Sequence, residues 1–314
     1  MDQFFDGIHV RLRSRVRGTY LYADEDGVGV SLSRRRASLN AAWQVHLVQR
    51  GDMDFVLLRS AAYGRYLADS PEMAPSGHRG RRAVQRDYDE PELNAVMWRP
   101  IGVITVYDVD NDDEAEDAQA DADVVLRHGN NRYLRANGRH RRWHNGVTVD
   151  DNNGVRTTMM LWTVEEMPPR VVPPALPPPA MNLGGPGFMS LFRRAEPRAE
   201  PLRSIRYVRA NNQGNFNQLG WATFQFYGRS VYLLLLRLAY HLDIRDEGNV
   251  LGIALCVRAG NYARLTPLVT DLPRCDEPMD IVVLATDSYG EKCFSVVSSH
   301  IYSVQSADAY AEML

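Results

Sequence analysis

The stretch VRLRS at 10–14 returns as VLLRS at 56–60 and again as VVLRH at 124–128. Each copy is followed by a short polar turn and a Tyr-Leu pair: Tyr20 and Leu21, Tyr66 and Leu67, Tyr133 and Leu134. Each then runs on to a tryptophan set among apolar residues, Trp43, Trp98 and Trp162. The Arg-to-Tyr spacing is 7 from Arg13 to Tyr20, 7 from Arg59 to Tyr66 and 6 from Arg127 to Tyr133. Recurrence of this kind is the signature of an internal repeat and governs how the rest of the chain is read.

Within the phrase, Val10, Leu12 and Ser14 alternate with Arg11 and Arg13, the period of a strand with one apolar and one charged face. Gly18, Gly64 and the run Gly129, Asn130, Asn131 tolerate positive φ, so each phrase is expected to open a hairpin. Three units of four short strands predict a closed β-trefoil, because closure removes exposed strand edges and lets the repeated Leu and Trp residues stack as core layers. The repeat residues are therefore expected to build the fold.

A chain of 314 residues suggests two domains. The 36 basic residues, of which only Lys292 is a lysine, face 39 acidic ones, and the net charge of -3 conceals strong segregation. Cys256, Cys275 and Cys293 lie in the C-terminal third without CxxC spacing, which argues against a disulfide framework or a Cys-rich zinc site. The first 30 residues lack an apolar signal region and no stretch approaches 18 apolar residues. The expectation is a soluble protein of the cytoplasm, with the nucleus also open to it, and no membrane contact.

Charge collects in the expected loops. Arg34, Arg35 and Arg36, followed by Ser38, form a basic loop that is either a solvated hairpin end or an electrostatic contact for an acidic partner. The second repeat carries Arg79, Arg81, Arg82 and Arg86 among glycines in a longer loop. From Asp108 to Asp123 there are nine acidic residues and no basic one, a loosely held loop that either shields the basic loops or is a tolerated insertion. In the third repeat, RHRRWHN at 139–145 sets Arg139, Arg141 and Arg142 beside Trp143, side chains able to pair with phosphate or carboxylate and to stack. His140 and His144 have the spacing of metal ligands on a helix, but this segment reads as a hairpin loop without a third ligand, so no metal is expected.

Residues 168–201 hold ten of the seventeen prolines and read as an extended linker, with an apolar patch at Phe188, Met189, Leu191 and Phe192. A second domain is expected over 202–287. SIRYVRA at 204–210 and WATFQFYG at 221–228 form a hairpin, and Val231, Leu234, Leu235, Leu238 and Leu242 mark one face of a helix. IALCVRA at 253–259, LTPLV at 265–269 and MDIVVLA at 279–285 follow as strand-like stretches. The expected order is β-β-α-β-β, a small α+β domain of the ubiquitin-like β-grasp type. A tail over 288–314 has little pattern, apart from a short helix expected at 307–313.

The opening MDQFFDG, then VRLRS, YLYADEDG, NAAW at 40–43, YLAD at 66–69, YLRANG at 133–138 and the pattern Trp143, Asn145, Val147, Thr148, Asp150 resemble the plant family called domain of unknown function 569. The resemblance covers nearly all of 1–167 and implies a mainly β protein with an N-terminal β-trefoil, described for that family as fascin-like or actin cross-linking. GRSVY, LCVRAG and RLTPL resemble the C-terminal domain often attached to it. The acidic insertion and the Arg-rich RHRRWH depart from the family pattern.

No GxSxG elbow, phosphate-binding Gly loop or HExxH occurs, Cys256 lies in an apolar strand pattern, and the other cysteines have no base placed beside them. A non-enzymatic protein without cofactors is expected. Its first reading is a protein-interaction or scaffold module with filamentous actin as candidate partner. The contact residues are Arg34, Arg35, Arg36, Arg79, Arg81, Arg82, Arg139, Arg141, Arg142 and Trp143. The alternative is a trefoil that binds carbohydrate or another anionic ligand. Ricin-type trefoils carry Q-x-W in each repeat, where this chain has Ala-Ala-Trp, Val-Met-Trp and Met-Leu-Trp. Nucleic acid is not an expected partner.

Overall fold

The computed structural model describes residues 3–103, 123–138, 142–151, 155–168, 200–211, 215–244 and 252–285. The chain divides into two compact units, the first holding strands β1 to β12 and the second β13 to β17 with helix α1.

In the first unit, β1 (His9–Ser14), β2 (Tyr20–Ala23), β3 (Val30–Ser33) and β4 (Trp43–Arg50) make one repeat. The second is β5 (Met53–Ser60), β6 (Tyr66–Met73), β7 (Arg81–Arg86) and β8 (Trp98–Val103), and the third is β9 (Asp123–His128), β10 (Tyr133–Ala136), β11 (Val147–Asp150) and β12 (Trp162–Met167). Antiparallel pairing passes from β1 to β4, β5, β8, β9, β12 and back to β1, a closed six-stranded barrel. The remaining strands form three hairpins, β2–β3, β6–β7 and β10–β11, which also touch one another. This is the β-trefoil that the repeat predicts.

The repeat residues lie at its centre. Leu12, Leu21, Leu58, Leu67, Leu126 and Leu134 pack with Trp43, Trp98 and Trp162, all inaccessible to solvent. A short 3-10 turn precedes each tryptophan, at Leu39–Ala41, Glu92–Asn94 and Thr158–Met160. The turn between the first two strands of each repeat uses one left-handed residue: Gly18 (φ 60°), Gly64 (φ 73°) and Asn131 (φ 59°). In the first two repeats that residue donates its N–H four positions back, to Ser14 and Ser60, and in the third only three back, to His128. The turn is one residue shorter there, which accounts for the spacing of 6.

Three expectations change in detail. The alternation seen in β1 does not extend to β5, where Leu57 is buried on the outer side with Tyr66, Tyr88, Val96 and Met97, so both faces of Val56–Ser60 are covered. Arg81, Arg82 and Arg86 are not loop residues but belong to β7, half-buried, and only Arg79 precedes the strand. Asp123 is not part of an acidic loop: it opens β9, is buried, accepts from Thr163 Oγ1 at 3.0 Å and faces Arg15 Nε at 3.5 Å. The rest of that acidic stretch, the linker's apolar patch and the tail over 288–314, with its expected helix, lie outside the described residues.

The second unit has β13 (Leu202–Arg209), β14 (Ala222–Tyr227), α1 (Val231–His241), β15 (Ile253–Val257), β16 (Thr266–Pro267) and β17 (Met279–Ala285). The order is therefore β-β-α-β-β-β, one strand more than expected, because LTPLV does pair with the sheet edge, through Thr266–Pro267. The strands lie in the order β14-β13-β17-β15-β16, with β13 and β17 parallel at the centre. Ser230 caps α1, its hydroxyl accepting from Leu233 N, and Val231, Leu234, Leu235 and Leu238 face the sheet. Phe216 and Trp221 pack on the other face over Val208, Cys256, Val282 and Leu284.

Candidate partner-binding face of the trefoil

The β6–β7 and β10–β11 hairpins lie side by side, since Arg82 of β7 is paired with Thr148 of β11 and Arg81 with Val149. Strand β3 reaches both, through bridges from Ser31 to Gly146 and from Gly29 to Val84, and Leu32 N donates to Asn145 O at 2.7 Å. Trp143 stands where the three hairpins meet. Its backbone is left-handed (φ 63°), uncommon for a bulky side chain, and its carbonyl accepts from Gly146 N at 3.0 Å to close the turn. The indole lies directly against Gly146: a Cβ there would stand 2.3–2.5 Å from three of its ring atoms.

Around this indole the hairpins collect cationic and aromatic groups. The Arg82 guanidinium sits 5.6 Å from the ring centroid and 3.9 Å from the Glu72 carboxylate. His78 meets the indole edge-on at 5.4 Å and 84°, with its Nε2 hydrogen-bonded to the carbonyl of Arg142. From the β1–β2 turn, Arg17 donates to His144 O at 3.5 Å. Cation–π contact of this exposed kind contributes about 0.5–1 kcal/mol, enough to orient the arginine.

The structure thus separates the candidate residues into two groups. Arg79, Arg81, Arg82, Arg142 and Trp143 belong to the joined β6–β7 and β10–β11 hairpins; Arg139 and Arg141 lie outside the described residues. Arg34, Arg35 and Arg36 belong to the β3–β4 loop, where Arg35 and Arg36 face carboxylates. Arg36 Nε lies 3.0 Å from Glu165, which also takes Arg13 at 3.5 Å and the Tyr20 hydroxyl at 3.2 Å, and Arg35 lies 3.7 Å from Glu25. Sequence reasoning missed Arg17 and His78. His78 stands next to Arg79 in SGHRGRR and could have been read with that run, whereas Arg17 carries no signal beyond its place in a turn.

The profile described as "Beta-trefoil domain of unknown function (DUF569)" matches residues 1–162, just over half of the chain. The chain belongs to this family. A "DUF569 associated ubiquitin-like domain" matches residues 201–284, so the second unit is that domain. No curated protein matches the chain. Among solved structures, the SDF2-like protein of Arabidopsis thaliana is similar at 14% identity and a TM-score of 0.39, covering 52% of this chain and 94% of its own. A ricin B-like lectin of Macrolepiota procera in complex with lactose is similar at 17% identity and a TM-score of 0.37, over 52% of this chain and 98% of its own.

Two carboxylates of the DUF569 trefoil have unusual titration. Burial raises Asp24, in the β2–β3 turn, from its ordinary 3.8 to about 6, against the Ser31 hydroxyl that donates to it at 2.5 Å; Asp26 and Glu25 add repulsion. Burial also pushes the Asp69 carboxyl up, against the pull of His128, Arg132 and Arg81. Among the described residues, no group of three His, Cys, Asp or Glu side chains is arranged to hold a metal ion.

Proposed function

We propose that this DUF569 protein is a non-enzymatic protein-interaction module that docks the hairpin cap of its trefoil on an acidic protein surface, with filamentous actin as the candidate partner. The observation that carries the reading is the gathering of Arg82, His78 and the Arg142 backbone around a half-buried Trp143 that is fixed by Gly146. A rigid aromatic anchor with arginines at its rim is the composition of an interface hot spot, and clustered cations steer an acidic partner toward it. The β3–β4 loop, whose Arg35 and Arg36 already face Glu25 and Glu165, contributes less to such docking. The nomination of actin rests on the family resemblance alone.

The test is co-sedimentation of the purified chain with filamentous actin at low and physiological salt. Pelleting at high speed alone means one filament site; pelleting at low speed means cross-linking, and hence a second site or a dimer. A chain that stays in the supernatant in every condition rules out actin as the partner.

A further inference from the structure

The sheet of the ubiquitin-like domain ends in two very different edges. At one edge, β16 is only two residues long and one of them is Pro267, which has no N–H to offer. Short strands and edge prolines are the usual protection against pairing with another chain. At the other edge, β14 runs over six residues, ATFQFY at 222–227, with no charge, proline, glycine or bulge, and among the described residues it pairs with β13 alone. Gly228 N donates to Pro201 O at 3.0 Å. Alternation of the antiparallel ladder then directs Ala222, Phe224 and Phe226 to β13, and turns the N–H and C=O groups of Thr223, Gln225 and Tyr227 outward.

The ground beside this edge is aromatic and cationic. Phe224 is half-buried under α1, its ring 4.6 Å from His241 and 5.7 Å from Tyr207; Tyr240, next to His241 at 5.9 Å, is 77% exposed. Arg237 stands four residues before His241 and so shares its face of the helix, and it too is exposed. On the far face of the strand Tyr227 is 65% exposed. Neither β14 nor α1 contains a single acidic residue.

We propose that β14 is a strand-addition site for an extended peptide made of consecutive aliphatic residues flanked by Asp or Glu. The peptide backbone pairs with Thr223, Gln225 and Tyr227. Alternate aliphatic side chains settle against Phe224 and His241, and the acidic flanks face Arg237 and His241. Main-chain pairing supplies the affinity and the side-chain ground supplies the selectivity, as in other strand-addition complexes.

The test uses the full chain, isotopically labelled, and a synthetic octapeptide of four Val and Ile residues with two acidic residues at each end. Binding is expected to shift the amide signals of Thr223, Gln225 and Tyr227 and to slow their hydrogen exchange. Gln225→Pro removes one outward donor without touching the β13 ladder, so it should abolish binding while leaving the melting temperature nearly unchanged. If that variant fails to fold, Arg237→Glu decides: the surface change should weaken the peptide on the order of tenfold, a loss of about 1.4 kcal/mol. The proposal is overturned by β14 amides that do not move at millimolar peptide, by equal binding of a Lys-flanked peptide, or by unchanged affinity in both variants. It is also overturned if those amides broaden without peptide as the chain dimerises, which would make a second copy the occupant.

Discussion

The indole Nε1–H of Trp98 donates to the carbonyl of Leu67 at 2.9 Å, and the same bond joins Trp43 to Leu21 at 3.1 Å and Trp162 to Leu134 at 3.1 Å. Each repeat thereby ties its last strand to its second strand through a tryptophan that has no contact with solvent. Trp98→Phe leaves the Leu67 carbonyl unpaired in a dry core and opens a cavity. The expected cost is about 2–4 kcal/mol, measured by urea unfolding of the full chain.

Gly146 and Trp143 should behave as a coupled pair. Gly146→Ala drives a Cβ into the indole, with an expected loss of about 1–3 kcal/mol. Trp143→Ala in the same chain removes the clash, so the double variant should be more stable than the sum of the two single changes, by a coupling of at least about 1 kcal/mol in a double-mutant cycle. Strict additivity would mean that the indole does not rest on Gly146.

The left-handed turn position should tolerate glycine and reject branched residues in every repeat. Asn131→Gly is expected to change stability by less than about 0.5 kcal/mol, whereas Gly64→Val, at φ 73°, should cost about 1–3 kcal/mol. Thermal melts of the two variants against the wild type check this.

Asp24 gives a pH dependence of defined sign. Its folded pKa of about 6 lies above the ordinary 3.8, so the folded state holds more protons than the unfolded state between those values. The stability it contributes is complete below about pH 4 and is lost as pH rises through 6. Asp24→Asn removes that dependence. It should be more stable than the wild type at pH 7, by about 1–2 kcal/mol once partial solvation is allowed for, and the gain should vanish near pH 4. A gain that grows on acidification would contradict the assignment.

Much of the trefoil is legible because its determinants are local and said three times. The Arg-Tyr spacing, the turn glycines and the tryptophans each recur, and the odd spacing of 6 already marks a different turn at Asn131. The burial of Leu57 on the outer face of β5 was not legible, because it depends on Tyr88, Val96 and Met97, brought in from elsewhere in the repeat. Nor was the fate of Asp123, whose charge matched the acidic run before it while its partners, Thr163 and Arg15, sit in distant segments. At the candidate site, composition singled out Trp143 and its arginines. Only the pairing of β7 with β11 brings Arg82 and His78 onto the indole, and only the fold brings Glu165 within 3.0 Å of Arg36.

The most direct measurement is quantitative actin co-sedimentation of three chains at low and physiological salt: the wild type, Arg82→Glu with Arg142→Glu, and Arg34, Arg35 and Arg36 all changed to Ala. The account predicts salt-sensitive pelleting of the wild type, loss of pelleting for the double reversal, and a change of less than about threefold in affinity for the triple-alanine chain. Pelleting that survives the double reversal and disappears with the triple change would contradict it, as would a wild-type chain that never pellets.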